Sequence, residues 1–167
     1  MRSKAAWAFL LAVLGVTVYA ANVLATPATG FSGTTLAQAT FGEIFSHVHT
    51  VPATWNEHIE TKGNSDLYVQ QNTWQPGGST GWHTHPGPSF IIVTQGSVTA
   101  YDSDDRACTP HVYTAGTTNN AFVDPGDGHV HIIRNETSAV AQTIAVQLIP
   151  AGATRRQDAP APGNCPF

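Results

Sequence analysis

The chain has 167 residues, the length of one ordinary domain, and its sequence contains no internal repeat. Only 11% of the residues are charged, well below the roughly 25% of ordinary soluble domains, and the formal net charge is −4. No basic patch is present to bind phosphates, so the composition excludes nucleic acid as a partner. Gly, Pro, Thr and Asn take the place of charged residues, which favours strands and turns.

The first 25 residues have the layout of a secretory signal peptide. Arg2 and Lys4 form a basic start, an apolar run extends from Ala5 to about Tyr19, and small residues precede a cleavage point near Ala25. The alternative is an uncleaved membrane anchor, because the apolar segment is just long enough to span a bilayer. We therefore expect a secreted or extracytoplasmic protein, which is membrane-anchored only if this segment is retained.

Short apolar or alternating runs separated by turn residues follow, with no convincing helix between them. Residues 26–34 are predicted to be a linker, and 75–81 a glycine-rich turn. Runs that favour strands cover, in chain order, 35–41, 43–51, 65–74, 89–95, 97–103, 108–116, 120–128, 129–137 and 139–150. The first of these could also begin a short helix. Strands that recur about every 8–12 residues predict an antiparallel sandwich or closed barrel over 35–150.

Two cysteines, Cys108 and Cys165, are the only ones in the chain. Outside the cytoplasm an even count favours a disulfide. Such a bond would tether the proline-rich tail, residues 151–167, and would stabilise the fold by about 2–4 kcal/mol. The alternative is a copper or zinc thiolate pair, which the wide separation of the two cysteines disfavours.

Two His-x-His pairs are the candidate functional residues. On a strand, residues i and i+2 share one face, so His83 and His85 would point the same way, as would His129 and His131. Imidazole nitrogens bind zinc, copper, iron or nickel well. Two such pairs on separate strands could converge inside a barrel. The alternative is that these are surface or core histidines without a ligand.

The spacing around the first pair resembles the first motif of the cupin superfamily, Gly-x5-His-x-His-x3-Glu-x6-Gly. Gly77, His83, His85 and Gly96 all fall at the expected positions. The glutamate position of the motif holds Ser89, whose hydroxyl is a weak ligand for a divalent ion. This departure removes a negative charge from the site that the resemblance implies.

The second pair resembles the second motif, Gly-x5-Pro-x-Gly-x2-His-x3-Asn. Gly128, His131 and Asn135 fit it, whereas Pro125 lies one residue further from Gly128 than the motif expects. The first glycine of the motif would fall at position 119, which is Asn. The sequon Asn135-Glu136-Thr137 also matches a glycosylation signal, but a barrel strand is a poor site for a glycan.

The resemblance implies an all-β fold: a single, jelly-roll-like antiparallel barrel of the cupin type. His83, His85 and His131 would meet there at one divalent transition metal. Without the glutamate, three neutral imidazoles would leave the full charge on the ion, which disfavours Mn and Mg and leaves Fe, Cu, Zn or Ni. Three roles are open to His129: a fourth ligand, a general acid or base near the metal, or a histidine at the cavity rim.

The leading functional expectation is an exported, metal-dependent enzyme acting on a small molecule, with a dioxygenase-like oxidoreductase as the favoured class. Two alternatives remain: a non-catalytic module that binds a small ligand or a metal, and a structural cupin with a silent metal. The expected partner is a small-molecule ligand or substrate, and a homodimer is an open form of assembly.

Overall fold

The computed structural model describes residues 25–52 and 54–167, so the predicted signal peptide or anchor lies outside the described residues except for Ala25. The described part is all-β and contains no helix, as predicted. It has twelve strands: β1 Thr29–Phe41, β2 Phe45–His49, β3 Asn56–Glu60, β4 Ser65–Ser79, β5 His83–Thr84, β6 Ser89–Gln95, β7 Ser97–Asp102, β8 His111–Thr114, β9 Ala121–Asp124, β10 His131–Arg134, β11 Ala141–Pro150 and β12 Gln157–Asp158. Within these residues, no helix has the length and apolar character needed to cross a membrane.

Ten of the strands form an antiparallel barrel made of two five-stranded halves. One half has the order β1-β4-β11-β6-β9, and the other has the order β12-β5-β10-β7-β8. The two halves join where Arg134 of β10 pairs with Ser79 at the end of β4. Strands β2 and β3 form a separate exposed hairpin.

The main core lies between the two halves. Its buried side chains come from both, with Trp74, Val93 and Ala141 on one half and Val98, Ala100 and Ile133 on the other. Strand β6 shows how the alternation of side chains builds this core, because Ile91 and Val93 are buried while the intervening Ile92 is exposed. The inner surface of the barrel is therefore apolar at this end.

A smaller core secures the C-terminal tail against the barrel. Cys108 and Cys165 form the predicted disulfide, and both pack against a cluster that contains Trp82 and Tyr101. The tail is more ordered than a tethered coil, because β12 pairs with β5 and the Ala159 N–H donates to the carbonyl of Trp82, 2.8 Å away. The tail thus adds a neighbouring strand, β12, to the strand β5 in which the first His-x-His pair begins.

Some predicted boundaries are wrong. The linker expected over 26–34 is a strand from Thr29 onward, and β4 continues through Ser79 where a turn was expected. The reason is that β1 is an exposed edge strand of small and polar residues, so it lacks the alternation that marks a half-buried strand. The short strands β3, β5 and β12 have too few residues to give a periodic signal.

Asn135 fixes the end of β10 and is only 1% exposed. Its amide nitrogen donates to the carbonyls of Trp74, Gln75 and Ala139, while its oxygen accepts from the backbone and side chain of Thr137. An amide used in this way cannot carry a glycan in the folded protein. Asn135, which fits the second motif, therefore lies directly after the strand of the third histidine and holds its end in place.

Candidate metal centre

The structure brings together three of the four histidines singled out from the sequence. His131 of β10 stands directly opposite His83 of β5 in the strand register, and their ring centroids lie 4.3 Å apart. His85 follows β5, with its ring centroid 4.9 Å from that of His83 and 5.6 Å from that of His131. Each of the three offers one ring nitrogen, and these atoms all lie within 4.8 Å of one another.

Backbone carbonyls set the orientation of the first two imidazoles. Nδ1 of His83 lies 2.9 Å from the carbonyl oxygen of Gly81, and Nδ1 of His85 lies 2.7 Å from that of Arg155. A carbonyl oxygen can only accept, so Nδ1 of His83 carries the proton and donates it; Nδ1 of His85 donates to the nearer of its two partners, the Arg155 carbonyl, while the amide nitrogen of Gln147 lies 2.9 Å away. The Nε2 atom of each ring therefore keeps its lone pair, which is the form in which histidine binds a metal.

Gly81 is needed at its position for two reasons. Its φ is +68°, and a Cβ there would lie 2.2 Å from the carbonyl oxygen of Thr26. The Thr26 hydroxyl also accepts from the Trp82 N–H at 2.6 Å, so the start of the described chain is packed tightly against this turn. The close approach holds the Gly81 carbonyl within hydrogen-bond distance of Nδ1 of His83.

Burial keeps the three imidazoles in their neutral, metal-binding form. It lowers the pKa of His83 well below the ordinary value of 6.5, with a further contribution from the neighbouring His131. Burial also lowers the pKa of His131 to about 4, against the opposing pull of Asp124. The pKa of His85 is lowered by burial too, although the Arg155 carbonyl and Asp124 work in the other direction.

Asp124, the last residue of β9, is a site residue that the sequence did not reveal. Its side chain is only 3% exposed; Oδ2 lies 3.7 Å from Nε2 of His85, and Oδ1 lies 3.6 Å from Nδ1 of His131. In the sequence it stands before Pro125 and looks like an ordinary turn residue. Because the motif's glutamate is missing, the sequence predicts a site made of imidazoles alone. The structure adds a carboxylate, that of Asp124, which lies close to two of these imidazoles.

Ser89 lies on the inner face of β6, as the motif implies, and it is buried at the cavity wall. Its partner across the strand pair β6–β9 is Asp124. The motif carries its carboxylate at the position of Ser89, whereas this chain carries one at Asp124. The two positions are thus directly opposite each other on neighbouring strands.

His129 lies in the turn before β10, beside this cluster rather than within it. Nδ1 of His129 is 3.7 Å from Oδ1 of Asp124, and its Nε2 is 3.5 Å from Oδ1 of Asp102. Asp102 in turn lies 3.9 Å from the exposed His111. His129, Asp124 and His131 form a second group that could hold a metal, so the structure keeps His129 close to the centre and leaves its role open.

The three histidines line a cavity of about 200 Å³ inside the barrel. Part of its wall is apolar, from Phe31, Trp74, Ile91 and Ile133, and part is polar, from Gln70, Asn72, Gln147 and Arg155. The guanidinium of Arg155 lies over the ring of Tyr68 and donates to the side-chain oxygens of Gln70 and Gln147. A cavity of this size and lining suits a small polar molecule.

The donor set fits a divalent transition metal. Three buried polar atoms around the centre have no hydrogen-bond partner: Oδ2 of Asp124, Nδ1 of His129 and Nδ1 of His131. Buried polar atoms normally have partners, so their concentration at one point indicates a place for a cation. Imidazoles with one carboxylate suit iron, nickel, copper or zinc.

The chain was also compared with known proteins. A family model described as "Cupin domain" matches residues 72–147, which include all three histidines, Ser89 and Asp124. No curated protein sequence matches the chain. Of the similar solved structures, the polyketide cyclase RemF from Streptomyces resistomycificus has a TM-score of 0.50 and 16% identity, over 84% of this chain and 81% of that one.

Two further structures are similar over less of the chain or at a lower score. A cupin superfamily protein from Desulfitobacterium hafniense DCB-2 has a TM-score of 0.43 and 10% identity, over 70% of this chain and 81% of that one. An oxalate oxidase has a TM-score of 0.41 and 21% identity, over 51% of this chain and 46% of that one. These identities bear on the fold alone. The matching family model, the two histidine motifs and the antiparallel barrel together show that residues 72–147 form a cupin domain.

Proposed function

We propose that this chain is an extracytoplasmic cupin that binds one divalent transition metal through His83, His85 and His131 and uses it in a reaction on a small molecule. The observation that carries the proposal is the convergence of the three ring nitrogens within 4.8 Å at the wall of a cavity. The strand register and the two carbonyl acceptors hold these nitrogens in place without an ion. The site is therefore preorganised for a metal.

The cavity favours a working metal over a silent one. A structural zinc is enclosed by four protein ligands, whereas a catalytic metal keeps a position open to water or substrate. Three imidazoles at a cavity wall match the second arrangement. When bound, such a metal would polarise an oxygen atom of its ligand, or would supply a redox couple if it is iron or copper; an oxygenase-type reaction would need the latter.

The residues around the centre would select and orient the ligand. Arg155 presents a guanidinium that no carboxylate in the described part of the chain neutralises, and Gln70 and Gln147 hold it in position. Opposite these groups, Trp74 and Ile133 provide an apolar wall that excludes water. We therefore expect a small ligand with a polar or anionic group at one end and a compact apolar body.

The disulfide supports the proposed location. A bond between Cys108 and Cys165 persists in oxidising compartments and is rare in the cytosol. Export would also expose the histidines to whatever transition metals are present outside the cytoplasm.

The test is metal content, measured by elemental analysis on protein isolated from its native compartment without chelators. We expect about one divalent transition ion per chain, because one centre is proposed. Ala variants of His83, His85 and His131 should each lose most of it, whereas His129→Ala should keep it. A metal-free wild-type protein that also fails to take up added Zn²⁺, Fe²⁺, Cu²⁺ or Ni²⁺ would refute the proposal.

The same variants test the motif alignment. If His129→Ala empties the site while His131→Ala leaves it full, the second motif has been read two residues out of register. In that case the ion would be held by His129 with the carboxylates of Asp124 and Asp102, which lie 3.7 Å and 3.5 Å from its two ring nitrogens. Exposed His111, which also contacts Asp102, gives a matched control, because His111→Ala should leave the metal content unchanged.

A further inference from the structure

We propose that Asp124 is the anionic metal ligand of this centre and that it takes the place of the glutamate that the first motif lacks. The inference rests on the metal site proposed above. It adds a ligand from a different strand, because Asp124 shares His131 with the three-histidine group through the group of Asp124, His129 and His131, and its Oδ2 lies 3.7 Å from Nε2 of His85. The structure supports it through strand register, burial and charge, and the position of the turn that follows β9.

The strand register places the two positions face to face. Ser89 of β6 pairs with Asp124 of β9, and both residues are 4% exposed at the cavity wall. Side chains that stand opposite each other on paired antiparallel strands have Cβ atoms about 5 Å apart on the same face. A short serine on one strand leaves room for a carboxylate from the other. The site thus has its negative charge on β9, at Asp124, and not on β6, where the first motif has its glutamate.

No arginine or lysine in the described part of the chain forms an ion pair with Asp124, although Arg155 and Arg156 line the same cavity. Among the described residues, the only basic groups within ion-pair distance of its carboxylate are the imidazoles of His85, His129 and His131. Oδ1 accepts from the Gly126 N–H at 3.0 Å, but Oδ2 is buried without any partner and lies 3.7 Å from Nε2 of His85. A buried carboxylate without a counter-charge is strongly unfavourable, and a divalent cation between these two atoms would supply that charge.

Two glycines allow Asp124 to come this close. A Cβ on Gly126 would lie 2.4 Å from the carbonyl oxygen of Gly87, in the loop between His85 and β6. Gly126 also has a φ of +71°, which favours glycine. This contact presses the turn after β9 against the loop of the first histidine pair. It is also the turn in which Pro125 departs from the spacing of the second motif.

A carboxylate ligand changes which metals the site should accept. It lowers the net charge of the centre by one unit and adds a hard oxygen to the three imidazoles. Hard oxygen ligands favour Mn²⁺ and Fe²⁺ relative to an all-nitrogen site. With Asp124 as a ligand, the expectation that the missing glutamate disfavours manganese no longer holds.

The experiment is a double-mutant cycle on Ser89 and Asp124, with Mn²⁺ and Zn²⁺ as separate probes. Dissociation constants are measured by competition with a chromogenic chelator, and bound Mn²⁺ is followed by its EPR spectrum. Asp124→Asn keeps the shape of the side chain and its bond to Gly126 while removing the charge. We expect it to weaken Mn²⁺ binding by about 10–100-fold, and Zn²⁺ binding by less.

The combination Ser89→Glu with Asp124→Ala returns a carboxylate from the opposite strand. It should recover Mn²⁺ binding to within about tenfold of the wild type, whereas Ser89→Glu alone should gain little because the charge is already present. Such non-additivity is expected for two residues that share one partner. Equal effects of Ser89→Glu in both backgrounds, or unchanged Mn²⁺ binding in Asp124→Asn, would overturn the assignment.

Two controls separate this inference from the proposed function. If Asp124 only positions the histidines, its loss should weaken Mn²⁺ and Zn²⁺ equally and Ser89→Glu should not restore binding, which would also overturn it. His129→Ala should leave both constants unchanged; a large effect would place the ion in the second group instead. Failure of the three ligand variants, His83→Ala, His85→Ala and His131→Ala, to lose metal would refute the metal site itself.

Discussion

The buried histidines should make the metal-free protein sensitive to acid. Burial lowers the pKa of His131 from 6.5 to about 4 in the folded state, whereas in the unfolded chain it returns to its ordinary value. Between these two values the unfolded state binds a proton that the folded state does not. Stability is therefore fully present above pH 6.5 and is lost as the pH falls toward 4.

The size of the effect follows from the shift. One pKa unit corresponds to about 1.4 kcal/mol, so His131 alone should remove about 3 kcal/mol from the free energy of unfolding between pH 7 and pH 4. His83 acts in the same direction, because its pKa is also lowered. A loss of this size is a large fraction of the stability of a typical domain, about 5–15 kcal/mol.

The assay is urea unfolding of chelator-treated protein at several pH values, followed by the fluorescence of the buried Trp74 and Trp82. The variant is His131→Gln, which cannot titrate and should reduce the pH dependence by about 3 kcal/mol, whatever its stability at pH 7. His47→Gln, in the exposed β2–β3 hairpin and away from the buried cluster, is the matched control variant. An identical pH dependence in wild type and His131→Gln would refute the reasoning.

Two further predictions concern the parts of the chain that support the site. Replacing Cys108 and Cys165 by Ser opens a loop with a sequence separation of 57, which should cost up to about 4 kcal/mol in urea unfolding; a loss below about 1 kcal/mol would mean that the other contacts of the tail suffice. Gly81→Ala should weaken Zn²⁺ binding by about tenfold or more in chelator competition, because a Cβ would displace the carbonyl that orients His83. Unchanged affinity would show that this carbonyl is dispensable.

Much of the centre could be predicted from the sequence, because its main signals are local. His83 and His85 are two positions apart, with one residue between them, and any extended backbone gives such a pair one common face. The spacing from Gly128 to His131 likewise selects the residue of the second pair that the strand register places opposite His83. Local spacing is enough for these residues because neighbouring backbone atoms determine their directions.

Asp124 could not be predicted in this way, because its role depends on which strands are paired. Nothing within a few residues of it indicates that β9 lies beside β6, or that the pairing places it opposite Ser89. His129 lies in the turn before β10, which begins at residue 131, so strand parity alone does not set its direction. Its ring nevertheless stacks beside that of His131, with the centroids 5.9 Å apart.

The C-terminal tail matters to the site because it holds residues that orient His83 and His85. Nδ1 of His85 donates to the carbonyl of Arg155, which lies between β11 and β12, and β12 pairs directly with His83 and Thr84. That segment is held in place by the contacts of the tail and by the bond between Cys108 and Cys165. Because a histidine ligand needs its second nitrogen satisfied to hold its ring in place, the tail contributes to the geometry of the metal centre as well as to stability. Reduction of the disulfide would therefore loosen the metal centre as well as the tail, and such bonds persist in oxidising compartments.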